Sequence, residues 1–346
     1  MKKSLKVTGV VAAAALALAG IALAPASQAA MPKVCLALDT GGIDDHSFNA
    51  SAWAGAQTQK SIANVSYVVA DANNPDYTSE VNSLVNNKCD LIIGVGFLIT
   101  SAIDAAATAN PAIHFAQVDD PGLVNGAAVA NLRGLTFATN QSAFEAGYLA
   151  AGYSKSHTIA TYGGINIPPV TIYMDGFAKG AAYWAKVNKK KVTVLGWNPA
   201  DPKSGVFVGD FSSQNKALQI SKNFEQQGAD VIFPVAGGLE LATAQNSAAS
   251  KKSVVIGVDS DAFGQYSNLG KVFLNSALKG VGASVAAVIK DQAAGKFSNV
   301  QYVGTLANGG TGLAGYHSLA SKVPGALQNA VRALGKAIAA GTVSTN

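Results

Sequence analysis

Beyond residue 30, short apolar runs alternate with longer stretches whose apolar positions recur every three or four residues. Residues 34–38, 66–70, 91–95 and 113–118 read as strands, with helical patterns over 48–61, 79–87 and 101–109 between them. The rhythm then restarts. Helical patterns over 140–154, 174–187, 214–227 and 239–250 interleave with strand-like runs at 158–162, 192–197, 231–235 and 254–258, and helices follow over 281–294 and 326–340. Strands that are apolar throughout and separated by helices predict parallel sheets covered on both faces. Two successive sets predict an α/β molecule of two similar lobes, each an open doubly wound sheet. No Pro- or Ser-rich linker parts them. The short apolar boundary over 133–139 suits a hinge of crossing strands better than a tether.

The first thirty residues follow a different pattern. Lys2, Lys3 and Lys6 precede an apolar run over 10–23, then Pro25 and Ser27-Gln28-Ala29. This is the layout of a secretory signal cut near Ala29 or Ala30. The run is shorter than the roughly 20 residues a bilayer span needs, so a soluble, exported mature chain is expected. The chain has 346 residues, 49% hydrophobic and 13% charged, enough for a large core. The formal charge of +5 falls to +2 without those three lysines, too little to argue for a nucleic-acid partner. Cys35 and Cys89 each lie at or near the start of an apolar run. If those runs are neighbouring parallel strands, a disulfide is possible; two buried thiols are the other reading. Gly310-Thr311-Gly312-Leu313-Ala314-Gly315 fits G-x-G-x-x-G, but it opens neither the first βα unit nor a long helix. The four histidines are scattered, and no phosphate-loop, nucleophile-elbow or metal-ligand spacing occurs. No cofactor, metal site or catalytic group is therefore expected.

In open parallel sheets, ligands bind beyond the carboxyl ends of the strands. Three strands end there in an acid: Asp39, Asp119 and Asp259. The first runs on as Asp39-Thr40-Gly41-Gly42-Ile43-Asp44-Asp45-His46-Ser47-Phe48-Asn49, where glycines permit a tight turn and Ser47 or Asp45 can cap the next helix. Phe48 is expected to face the cleft, and Phe177 to offer a second ring from a helix of the other lobe. Two such rings can grip a flat heterocycle, at about 1–3 kcal/mol per stacked base. Carboxylates accept hydrogen bonds from sugar hydroxyls. A nucleoside has both parts. Burial of either Phe48 or Phe177 in a hydrophobic interior, away from the gap, would take the nucleoside assignment with it.

These residues resemble the BMP (basic membrane protein) family of substrate-binding proteins, whose best-understood members bind purine nucleosides for ABC transporters. The most specific element is Asp39 to Asn49, followed by Ser51-Ala52-Trp53-x-Gly55. Phe144-x-Ala-Gly-Tyr148, Gly176-Phe177-x-x-Gly180, Ala236-Gly237-Gly238, Gly257-Val258-Asp259 and Ser276-Ala277-Leu278-Lys279 support it. The resemblance implies a type I periplasmic-binding-protein-like fold. Residues 31–135 with about 262–298 would form the N-terminal lobe, and 136–261 with about 299–346 the C-terminal one. It implies that Phe48 and Phe177 sandwich the base, that Asp39, Asn49 and Asp119 bond near its edge, and that Gly238, Asp259 and Lys279 hold the ribose, with Lys279 keeping Asp259 ionised. The expected partners are a nucleoside and ABC permease subunits, with the binding protein itself a monomer, periplasmic or at the cell surface. Members are commonly lipoproteins, but Pro32-Lys33-Val34 before Cys35 is no lipobox, so no lipid anchor is expected. His46 stands where the family often has lysine, beside the expected pocket. Rival readings keep the fold with a sugar or signalling ligand, or make Asp39 the water-activating acid of an exported nucleoside hydrolase. A regulator's sensory core is disfavoured by the signal segment and by the lack of a helix-turn-helix ahead of Val34.

Overall fold

Apolar runs bounded by turn residues form two six-stranded sheets. The computed structural model describes Met1, Ser4 and residues 30–346, so the expected signal segment lies almost wholly outside the described residues. The first lobe opens with β1 (Lys33–Leu38), α1 (Phe48–Gln57), β2 (Asn64–Val69), α2 (Tyr77–Asn86), β3 (Leu91–Val95), α3 (Thr100–Ala109) and β4 (His114–Val118). A small hairpin of β5 (Leu123–Val124) and β6 (Ala127–Ala128) leads into β7 (Leu132–Phe137). The second lobe runs through α4 (Thr139–Tyr153), β8 (Thr158–Gly163), α5 (Pro168–Asn188), β9 (Thr193–Leu195), α6 (Gln214–Gln226), β10 (Val231–Val235), α7 (Glu240–Ser250), β11 (Val254–Asp259), the short α8 (Ala262–Gln265) and β12 (Phe273–Lys279). α9 (Val281–Ala293), β13 (Tyr302–Gly304), β14 (Thr311–Leu313) and α10 (Gly325–Ala339) complete the chain.

The strand orders are β13-β7-β4-β3-β1-β2 and β14-β12-β11-β10-β8-β9. Apart from its outermost C-terminal strand, each sheet repeats one doubly wound order, with the switch point beside its first strand. β3 and β10 are buried along their whole length, which explains their unbroken apolar sequences. The edge strand β2 is mostly exposed. Cys35 and Cys89 form a disulfide, Cα–Cα 6.1 Å, that ties β1 to the turn before β3.

The sheets divide the chain differently from the expected lobes. Residues 262–279 belong with the second sheet, because β12 pairs with β11 and β14. α9 alone returns to the first lobe, packing its apolar face beneath β1 and against α1. β13 then pairs with β7 in the first sheet, not the second. The chain therefore crosses between lobes three times, after β7, after β12 and after β13. The crossings are bonded together: Ala138 N–H donates to Gly304 O (2.7 Å), and Gly280 N–H donates to Gly310 O (2.9 Å).

Candidate functional site

The carboxyl ends of both sheets face one another across a cleft that residues of both lobes line, the place where open parallel sheets bind ligands. On the first lobe Asp39 follows β1. Its Oδ1 accepts from Asn49 Nδ2 (2.8 Å) and from Gly41 N–H (3.2 Å). Gly96, after β3, has φ +114°, and a Cβ there would strike the Asp39 carboxylate, so only glycine leaves room for the acid. Burial outweighs the bonds to Asn49 and Gly41 and pushes the Asp39 carboxyl up to about 6. Asn49 is fully buried; its Oδ1 has no hydrogen-bond partner among the described residues.

α1 is started by Asp45 rather than Ser47. The Asp45 carboxylate accepts from the amides of Ser47 (2.9 Å), Asn49 (2.8 Å) and Ala50 (2.9 Å), satisfying donors that a helix start leaves unpaired. Burial nonetheless pushes Asp45 up to about 7. Phe48 is thereby held half-buried in the cleft wall, with Lys279 Nζ 4.7 Å from its ring centroid, a cation–π distance.

Lys279, at the end of β12, forms an ion pair with Asp119 (2.5 Å). The expected partner, Asp259, instead accepts from the Tyr173 hydroxyl (3.0 Å). Burial raises the Asp259 carboxyl above its ordinary range, and nearby Lys279 acts in the opposite sense, toward the charged form. Asp119 (φ +72°) and Asp259 (φ +64°) close equivalent strands of the two sheets in the left-handed region. Aspartate tolerates that conformation, at a cost of order 1 kcal/mol. Gly238 lies slightly apart. Gly237 lines the cleft, whereas a Cβ on Gly238 would stand 2.9 Å from Asp45 O of the opposing lobe.

Phe177 does not reach the cleft, so the Phe48–Phe177 pair on which the nucleoside expectation rested is overturned. It is 0% exposed, in the second-lobe core, its ring centroid 5.2 Å from that of Phe233. The reason is periodicity. Val170, Met174, Phe177, Ala181 and Trp184 form the buried stripe of α5. A Cβ on Gly180 or Gly147 would strike the backbone of the facing helix, at Phe144 and Phe177 respectively. The two glycine-containing segments of α4 and α5 are thus the two sides of one close helix contact. The second-lobe phenylalanine in the cleft is Phe211, half-buried on the turn before α6. Gly209 (φ +95°) shapes that turn, and Asp210 pins it by accepting from the amides of Ser212 (2.9 Å) and Ser213 (2.6 Å). A lone phenylalanine in the polar run Gly209-Asp210-Phe211-Ser212-Ser213 was the available sequence signal. Phe97 and Tyr173 were also missed. Tyr173 falls in the early turns of α5, which starts at Pro168 instead of 174 because proline is favoured in the first turn of a helix.

Known proteins resemble this chain in sequence and in fold. A family model described as "Bmp: ABC transporter substrate-binding protein PnrA-like" matches residues 33–313. The chain is 32% identical over 318 residues to the "ABC transporter nucleoside-binding protein BmpA" of Lactococcus lactis, covering 86% of this chain and 85% of that one. It is 30% identical over 236 residues to "Basic membrane protein A" of Borreliella burgdorferi, covering 67% and 64%. Among solved structures, it is similar to an ABC transporter solute-binding protein from Aeropyrum pernix (TM-score 0.76, 21% identity, 90% and 92% covered) and to one from Conexibacter woesei (TM-score 0.66, 20% identity, 90% and 98%). At those identities the likeness concerns the fold.

Proposed function

The chain belongs to the Bmp family of PnrA-like ABC transporter substrate-binding proteins, and from that premise we propose that it captures a nucleoside, purine favoured, outside the cytoplasm and hands it to ABC permease subunits. The observation that carries the reading is that Phe48 and Phe211, from opposite lobes, line one cavity together with carboxylates. A base lies between the rings and meets Asp39 at its edge; Asn49, expected beside it, does not line the cleft but positions the Asp39 carboxylate from behind. The sugar hydroxyls meet Asp259, Lys279 and the Gly237 backbone. Ligand contacts to both lobes favour the closed cleft by differential affinity, and the permease recognises that state. Asp39, Asp45, Asp119 and Asp259 face a single cation, Lys279, along the cleft. The charge of Lys279 is already taken by Asp119, so no unpaired cation along this lining awaits a phosphate, and an uncharged nucleoside fits it better than a nucleotide.

A thermal-shift panel tests this reading. Ligand at a hundred times its Kd adds about 2.7 kcal/mol to folded-state stability. Inosine, guanosine and adenosine are expected to raise Tm, while ribose and guanosine monophosphate leave it near its starting value. Nucleosides that fail to move Tm, with a free pentose that raises it, overturn the nucleoside assignment. The same mixtures watched for free base test the hydrolase reading, since the buried Asp39 carboxyl, at about 6, is poised for proton transfer. Steady release of hypoxanthine or guanine would replace the binding-protein reading; intact nucleoside is expected.

A further inference from the structure

We propose that Ser47 and Ser260 form a latch that joins the two lobes directly, so that closure draws on bonds that do not pass through the ligand. Ser47 is fully buried. Its hydroxyl donates to Val258 O (3.0 Å) at the end of β11, and its own carbonyl accepts from the Ser260 hydroxyl (3.2 Å). One residue of the first lobe is thus held at two points by a three-residue segment of the second. The contact continues on either side. The Tyr266 hydroxyl lies 3.5 Å from Asp45 O, and the His46 ring meets Tyr266 edge-on at 5.4 Å between centroids. Gly238 presses against Asp45, with too little room for a side chain to be added without displacement.

The local sequence prepares this surface. Asp45 takes over the capping of α1, which frees the Ser47 hydroxyl from the usual duty of a helix-start serine. It turns that hydroxyl toward the other lobe. Neither Ser47 nor Ser260 lines the cavity, so both act as positioning residues for closure. The Ser47 hydroxyl also bears on the Asp259 carboxylate. Ser260 is therefore the cleaner probe, and being only half-buried it tolerates truncation. When the cleft opens, water replaces each of these bonds, so each contributes a modest net preference for the closed arrangement.

The latch predicts a substantial closed population before any ligand binds. Small-angle scattering of ligand-free wild type, S260A and S47A/S260A reads this without reference to what the ligand is. Wild type is expected to be the most compact and S47A/S260A the most extended, with circular dichroism confirming that each variant is folded. Identical ligand-free scattering from wild type and S47A/S260A overturns the latch. Titration with inosine gives an independent reading that rests on the proposed function. S260A is expected to bind about fivefold more weakly, mainly through faster release. Should inosine bind none of the proteins while the scattering still differs, the latch stands and the nucleoside assignment falls.

Discussion

Glu145, on α4, is 6% exposed beneath Gly335 of α10, and burial pushes its carboxyl from 4.5 up to about 7. In the unfolded chain the same group ionises near 4.5. Its contribution to stability is thus complete below about 4.5 and is lost as pH rises through about 7. The loss is on the order of 3 kcal/mol at most. Asp39 and Asp45 shift in the same direction, so the comparison must be with a variant. E145Q is expected to melt several degrees above wild type at pH 8, with that advantage gone at pH 4, as read by thermal denaturation across the range. An advantage that does not change with pH would contradict the assignment. The same scale shows where residue types in a sequence mislead. Asp39, Phe48, Asp119, Asp259 and Lys279 all line the cleft, as read from strand ends and the resemblance. Phe177 does not, because an aromatic on a helix is placed by the helix's apolar stripe, and that stripe turns inward. Phe211 was overlooked because a turn has no periodicity from which to infer direction.

The strands and helices buried on regular faces were legible: β1, β3, β4, β8, β10 and β11 fall where the apolar runs placed them. β12 was not, because its polar Asn275 and Ser276 interrupt the apolar pattern. Nor were β13 and β14, at three residues each. β12, β13 and β14 adjoin the lobe crossings, as does β7, which was read only as a boundary, and this is why the expected lobe boundaries failed at 262–279 and at 302–304. The disulfide belongs to this scale too. It closes a loop over a separation of 54 residues between two buried half-cystines, and a native bridge of that kind contributes about 2–4 kcal/mol. C35A/C89A is expected to lose that amount in chemical denaturation while keeping its ligand affinity, since neither cysteine lines the cleft. Unchanged stability would contradict a structural role. A disulfide also agrees with export from the reducing cytoplasm.

As a whole, the molecule is two like sheets whose strand ends meet over one cavity, joined by three bonded crossings and by contacts at Ser47. Short crossings that share hydrogen bonds constrain the lobes to rotate about one line rather than drift. Phe48 from one lobe and Phe211 from the other line the cavity between them. The central claim is that Phe48 and Phe211 grip a nucleoside between the lobes. Calorimetric titration of inosine into wild type, F211A and F177L tests it most directly. The account predicts saturable binding to wild type, a loss of at least about tenfold in F211A from removal of one stacking ring, and affinity within about twofold of wild type in F177L. Binding that is equal in wild type and F211A, or absent from wild type, would contradict it.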